Sequence, residues 1–185
     1  TFFECRLHPI GPVTGGDIHY SGRDARVVLH YFRELMDEAP DAFQATLNLT
    51  PGERGVFVSL CHTGSENEAE RLLRSLRAIA PPTKEFVKRQ EFAALAERPA
   101  ATNPANTPPP AFRGIQTVYR DRLSDDLIDI IVDRLERACP EVIMGISHYM
   151  HGQVCRVAPN ATAFPLRQAG GLNARLAYTW NDPAT

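Results

Sequence analysis

Hydrophobic and polar positions alternate along this chain in two distinct rhythms. Between Phe43 and Leu49, Phe43, Ala45, Leu47 and Leu49 fall on one face while Gln44, Thr46 and Asn48 fall on the other. That is the period of a half-buried strand. Pro51-Gly52 marks a turn, and Gly55 to His62 returns as the partner of a hairpin. Val13 to Tyr20 reads as another short strand, and Phe2 to His8 as one before it, closed by Pro9, Gly11 and Pro12.

The second rhythm is helical. Ser21 is placed to cap a helix over Arg23 to Glu38, with Val27, Val28, Tyr31, Leu35 and Phe32 as its apolar stripe and Pro40 closing it. Ser65 with Glu68 three residues on forms a capping box, followed by Ala69, Leu72, Leu73, Leu76 and Ile79 at inward positions. Ser124 opens the strongest helix, Asp125 to Ala138, with Leu127, Ile128, Ile131, Val132 and Leu135 inward and Asp125 and Asp126 in the first turn, favourable against the helix dipole.

The remaining segments complete the count. Lys84 to Gln90 reads as a strand, Glu91 to Glu97 as a short helix, and Pro99 to Pro110 as a surface loop. Ala111 to Tyr119, Val142 to Met150, Gln153 to Val157 and Leu172 to Trp180 read as strands, and Gly15-Gly16 and Gly170-Gly171 as turns. Helices separated by strand pairs predict an α+β domain: one mostly antiparallel β-sheet of about six to seven strands with helices packed on one face.

Composition narrows the function classes. With 185 residues, 43% hydrophobic and 23% charged, the chain suits one globular domain with a substantial core. A formal net charge of -2 and the lack of a basic, aromatic-interleaved stripe argue against a nucleic-acid partner. No apolar run approaches the ~20 residues that span a bilayer, so no membrane partner is expected. Thr1 opens directly into strand-like sequence without an initiator Met, as expected of a fragment, a processed product or a trimmed chain. Cys5, Cys61, Cys139 and Cys155 are scattered without a C-x-x-C pair, as expected of buried or half-buried free thiols in a reducing, cytoplasmic setting. His148 and His151 are three apart in a strand-like stretch and would point to opposite faces, so no metal site is expected there.

Several local sequences go beyond periodicity. Phe3-Glu4-Cys5-Arg6-Leu7-His8-Pro9-Ile10-Gly11-Pro12, the helix start Leu123-Ser124-Asp125-Asp126, and the tail from Gly152 through Ala161-Thr162-Ala163-Phe164-Pro165-Leu166-Arg167 to Leu172–Trp180 and Asn181-Asp182-Pro183-Ala184 occur in order. Together they resemble the substrate-binding domain of berberine-bridge-like FAD-linked oxidases. The resemblance implies that residues 1–185 are the substrate-binding domain of a flavoprotein. The flavin-binding domain and a C-terminal closing segment would belong to the same polypeptide but lie outside these residues. It implies a small organic substrate whose hydride passes to FAD. The chain alone carries no Gly-rich phosphate turn entering a helix, so by itself it is expected neither to hold FAD nor to be active.

The sequence also departs from the family. Leu166 stands where the family has a His, His151-Gly152 where it has Gly-Gly, and Asn173 near the place of a catalytic Glu of plant members. An amide cannot abstract a proton at neutral pH, so Asn173 can orient a substrate but cannot serve as base. No catalytic residue is therefore assigned. Substrate contacts are expected from the sheet face turned away from the helices: Gln44, Thr46, Asn48 and Ser59, then Asn173 and Arg175 on the polar side of the last strand, with Gln116 and His148 as further candidates. Arg175 would favour an anionic or carbonyl-bearing substrate. The alternative is a free-standing α+β ligand-binding or dimerisation module that needs no flavin.

Overall fold

The computed structural model describes residues 9–51, 55–97, 112–138, 142–164 and 166–181. The expected strand at Phe2 to His8, Cys5, Cys139 and the loop Pro99 to Pro110 lie outside the described residues. The strands are β1 (Val13–Tyr20), β2 (Phe43–Thr50), β3 (Gly55–His62), β4 (Lys84–Glu85), β5 (Lys88–Gln90), β6 (Phe112–Arg120), β7 (Val142–Tyr149) and β8 (Leu172–Trp180). The helices are α1 (Ala25–Asp37), α2 (Glu66–Ile79), α3 (Phe92–Ala96), α4 (Asp125–Arg137) and α5 (Gln153–Arg156). All strands join one antiparallel sheet in the order β4-β1-β3-β2-β7-β8-β6, with β5 also paired to β1. The expected α+β class holds.

Register explains the core. Ile18, Val58, Leu47, Ile146, Ala174 and Val118 stand opposite one another in a row across six strands. Side chains directly opposite share a face, so this row and its neighbours two residues away form the floor on which the helices lie. Ile18, Leu47 and Val58 are completely buried there, each contributing about 1.5–3 kcal/mol of transfer free energy. Tyr20 Oη donates to Leu76 O at 3.0 Å and fastens α2 to β1. Arg33 fastens α1 to the start of α4, donating to Leu123 O at 3.1 Å and to Asp125 Oδ1 at 2.6 Å. The capping box at α2 forms as expected, Ser65 Oγ accepting from Glu68 N and Glu68 Oε2 accepting from Ser65 N. Ser124 Oγ caps α4 by accepting from Leu127 N.

Four expectations are corrected. The stripe of α1 is Ala25, Val28, Leu29, Phe32 and Met36, and Val27 points to solvent. Gln153 to Val157 forms the short helix α5 and not a strand. Gly15-Gly16 is no turn but the middle of β1, where a Cβ on Gly16 would lie 2.2 Å from Phe86 O and one on Gly15 2.5 Å from a Leu95 methyl. Only glycine admits that backbone approach. Finally, α1, α2 and α4 pack on one face as expected, but Leu95 of α3 meets the Gly15 side, and Gly15 shares its face with Cys61 and Gln44. The two short helices thus border the opposite face. No described helix is long and apolar enough to cross a membrane.

Candidate functional site

The face away from the long helices carries two polar rows. One runs His19, Phe57, Asn48, Gly145, Arg175, Thr117 across six strands. The next holds Asp17, Ser59 and Thr46 on the β1 side and Asn173 with Tyr119 on the β6 side. Between Ile146 and His148 the β7–β8 register shifts, and His148 comes opposite Asn173. The extra residue of such a bulge bends the strand and re-aims its side chains, here Ser147 and His148.

A segment following β7 closes over this face. Gly152, at φ +63°, turns the chain next to Asp41, and a Cβ there would sit 3.0 Å from Asp41 Oδ1. Arg156 of α5 grips both Asp41 carboxylate oxygens, one at 3.2 Å. Arg167 donates to Val154 O at 3.3 Å and to Thr162 Oγ1, and its guanidinium lies 5.4 Å from the centre of the Phe164 ring. Met150 N donates to Gly171 O and Gly170 N to Met150 O, tying the segment's base to β8.

Under this cover lies a cavity of about 550 Å³, within the range of small-molecule sites. Gln44, Thr46, Tyr119, Ser147, His148 and Asn173 line its sheet side, and Met150, His151, Val154 and Phe164 its cover. Three of its polar atoms are buried without a hydrogen-bond partner among the described residues: Ser147 Oγ, His151 Nδ1 and Asn173 Oδ1. Buried polar atoms without partners are uncommon and mark places where a ligand group or water completes the set. Asn173 donates its Nδ2–H to Tyr119 Oη at 3.3 Å, leaving Oδ1 to accept. His151 donates Nε2–H to Gln44 Oε1 at 2.8 Å, which leaves Nδ1 as the acceptor nitrogen. Burial pulls the His151 imidazole below the usual histidine range, against an upward pull from Asp41.

The eight expected substrate contacts divide. Gln44, Thr46, His148 and Asn173 meet at the cavity. Asn48 and Arg175 meet in the adjacent row, because Gly145 between them has no side chain: its Cβ position lies 3.1 Å from Asn48 Oδ1 and 3.9 Å from Arg175 Nη2. Ser59 is on the expected face, but its hydroxyl donates to Asp17 Oδ1 at 2.5 Å. Gln116 is on the other face. It stands opposite Leu176 and lines a cavity of about 330 Å³ with Leu127 and Ile131 of α4. On the edge strand β6 both faces are open to solvent, so no burial contrast marked the side on which Gln116 falls. Ser147, His151, Tyr119 and Phe164 were missed. The one signal in the sequence was His151 standing where a Gly-Gly turn was expected.

Cys61 and Cys155 are half-buried free thiols, and burial pushes both above the usual thiol range. Among the described residues no cluster of three or more His, Cys, Asp or Glu could hold a metal. None of the described helices opens on a Gly-rich turn of the kind that cradles the pyrophosphate of a dinucleotide.

The Asp41–Arg156 tether has a pH signature. The Arg156 hydrogen bond holds the Asp41 carboxyl below the usual carboxylate range. With the folded pKa depressed, the tether contributes fully above the unfolded carboxylate pKa and is lost as pH falls through the folded value. Amide protection over residues 151–157 is therefore expected to fall in acid while that of β2 persists. Asp41→Asn should show the same loss at neutral pH. Equal protection in variant and parent, read by hydrogen exchange, would exclude the tether.

The sequence matches no family model and no curated protein. Solved structures share its fold. Physcomitrella patens BBE-like 1 superposes with a TM-score of 0.75 at 18% identity, over 94% of this chain and 40% of that one. A berberine bridge enzyme variant in complex with (S)-reticuline gives 0.72 at 16% identity, over 95% and 37%. Berberine bridge enzyme from Eschscholzia californica gives 0.65 at 17% identity, over 92% and 36%. The chain thus spans 36–40% of the length of these proteins. The fold that the local sequences pointed to is the fold found.

Proposed function

We propose that this chain is the substrate-binding domain of an FAD-dependent oxidoreductase of the berberine-bridge-like family. In that reading the rest of the same polypeptide holds the flavin, and a small organic substrate lies against the polar sheet face. The flavin would supply hydride acceptance, and the residues described here would bind and orient the substrate and exclude water. The chain alone would neither hold FAD nor turn over substrate. Its half-buried thiols suit a cytoplasmic setting, and neither nucleic acid nor membrane is a partner.

The observation that carries this reading is the cavity on the face away from the long helices, with three unpartnered buried polar atoms. The fold shared with proteins that include a substrate complex supports it. Arg175, beside Asn48 in the adjacent row, is suited to an anionic or carbonyl oxygen of the substrate.

The test is an absorbance spectrum of the protein expressed from the full open reading frame. A yellow protein with flavin bands is expected. A colourless full-length product would overturn the proposal and leave the free-standing binding module.

A further inference from the structure

His151, Ser147 and Asn173 come from three different segments, the cover, β7 and β8, yet each leaves one buried polar atom unsatisfied in the same cavity. Two of these atoms can only accept. Asn173 Oδ1 is an amide oxygen whose NH2 is turned to Tyr119. His151 Nδ1 carries a lone pair because Nε2 holds the proton against Gln44 Oε1. A hydroxyl such as Ser147 Oγ can either give or take. A partner for this set must therefore bring hydrogen-bond donors.

It must also be uncharged. Among the described residues no carboxylate, lysine or arginine lines the cavity, and an ion buried there would lack a counter-charge. Tyr119, Met150, Val154 and Phe164 supply the apolar surface against which a ring can lie.

We propose that His151, Ser147 and Asn173 form a recognition site for a neutral ligand bearing hydroxyl groups, with His151 Nδ1 as an acceptor that must be unprotonated for binding. This deepens the substrate-wall reading above and rests on it for the role of the ligand. Arg175, one row away, meets whatever part of the substrate extends beyond the cavity.

The environment keeps His151 neutral near pH 7. Burial lowers its affinity for a proton, and Asp41, from the turn before β2, opposes that. Arg156 of α5 is paired to Asp41. The other titratable groups around it are His148 and Tyr149 of β7, Tyr119 of β6 and Cys155 of α5. A ligand hydroxyl can turn to accept from a protonated Nδ1, but a neutral ligand seated there strips water from the imidazolium and brings no counter-charge. Binding therefore weakens as pH falls through the His151 pKa, by up to tenfold per pH unit below it.

Hydroxyls of this kind occur on phenols and on sugars, and two probes separate the sources. Binding of catechol, methyl β-glucoside and the hydroxyl-free anisole to the full polypeptide is measured by calorimetry from pH 8 down through the titration of the His151 ring, itself followed by NMR. At least one hydroxylated probe should bind, anisole should not, and affinity should fall on the acid side. His151→Phe should weaken that probe about tenfold, the loss of one buried hydrogen bond and the orphaning of its partner, and should abolish the pH dependence. Should that variant not fold, Gln44→Leu, which releases the Nε2 proton from its acceptor, should weaken binding in the same direction.

No binding by either hydroxylated probe, anisole binding as tightly as catechol, or a flat pH profile would overturn the site. A pH dependence that survives His151→Phe would transfer the role to His148 and overturn it for His151. The flavin spectrum of the same samples keeps the two proposals apart. A colourless protein with pH-dependent hydroxyl binding sinks the oxidoreductase and keeps this site. A yellow protein that ignores both probes does the reverse.

Discussion

Replacing Phe32 by Ala should lower the free energy of unfolding by about 3–5 kcal/mol, seen as a lower denaturant midpoint with an unchanged slope. Phe32 is 1% exposed and sits in the middle of the buried stripe of α1. Its ring meets Tyr149 edge-on, with centroids 6.0 Å apart and planes at 84°. The space left by the ring cannot close easily, because Tyr149 is held from the other side by donating to Asp37 Oδ1 at 2.5 Å. The cost of a large-to-small change depends on how far the site can collapse. Val27→Ala provides the control: at 45% exposure it should change stability by less than about 0.5 kcal/mol. Comparable effects of the two substitutions would mean that α1 is turned by roughly one residue relative to the sheet.

That pair of residues also shows where the sequence stopped being informative. The helix has apolar residues on two neighbouring stripes, one through Val27, Tyr31 and Leu35 and one through Leu29, Phe32 and Met36. Periodicity identifies a helix with an apolar side but does not choose between adjacent stripes, since the sheet beneath decides the rotation. The β2–β3 hairpin had no such ambiguity. Strict alternation from Phe43 to Leu49 allows only two faces, and a shift of one residue would turn Gln44, Thr46 and Asn48 toward the long helices in place of Ala45 and Leu47.

The candidate site was legible to the same extent as the alternation that supports it. Gln44, Thr46, Asn48, Asn173 and Arg175 could be placed because their strands alternate cleanly. Ser147 could not, because a one-residue bulge between Ile146 and His148 leaves no trace in a pattern of apolar and polar letters. His151 was hidden for a different reason. It lies past the end of β7 and reaches the cavity only because Gly152 adopts a positive φ beside Asp41, more than a hundred residues away in sequence. The same tether makes Gln153–Arg156 a helical turn, although four residues with Val154 and Val157 nearby read equally well as a strand.

On the proposed oxidoreductase reading, Arg175→Ala in the full-length protein should lower kcat/KM about ten- to a hundredfold while the flavin absorbance stays unchanged. The guanidinium extends over Gly145 toward Asn48 Oδ1, a path open only because Gly145 has no side chain. Among the described residues no carboxylate pairs with it, so its charge is available to an oxygen of the substrate. A hydrogen bond to a charged donor contributes about 1.5–3 kcal/mol, which sets the expected loss. A rise in KM alone would mean that the contact is made equally in ground and transition states, and a fall in kcat that it strengthens as charge develops. Arg175→Lys should recover only part of the activity, since an ammonium keeps the charge but loses the planar fork that can serve Asn48 and a substrate oxygen together. An unchanged kcat/KM and substrate profile in Arg175→Ala would remove this residue from the binding face. The row through Asn48 would then be solvated surface, and recognition would be confined to the cavity beneath His151.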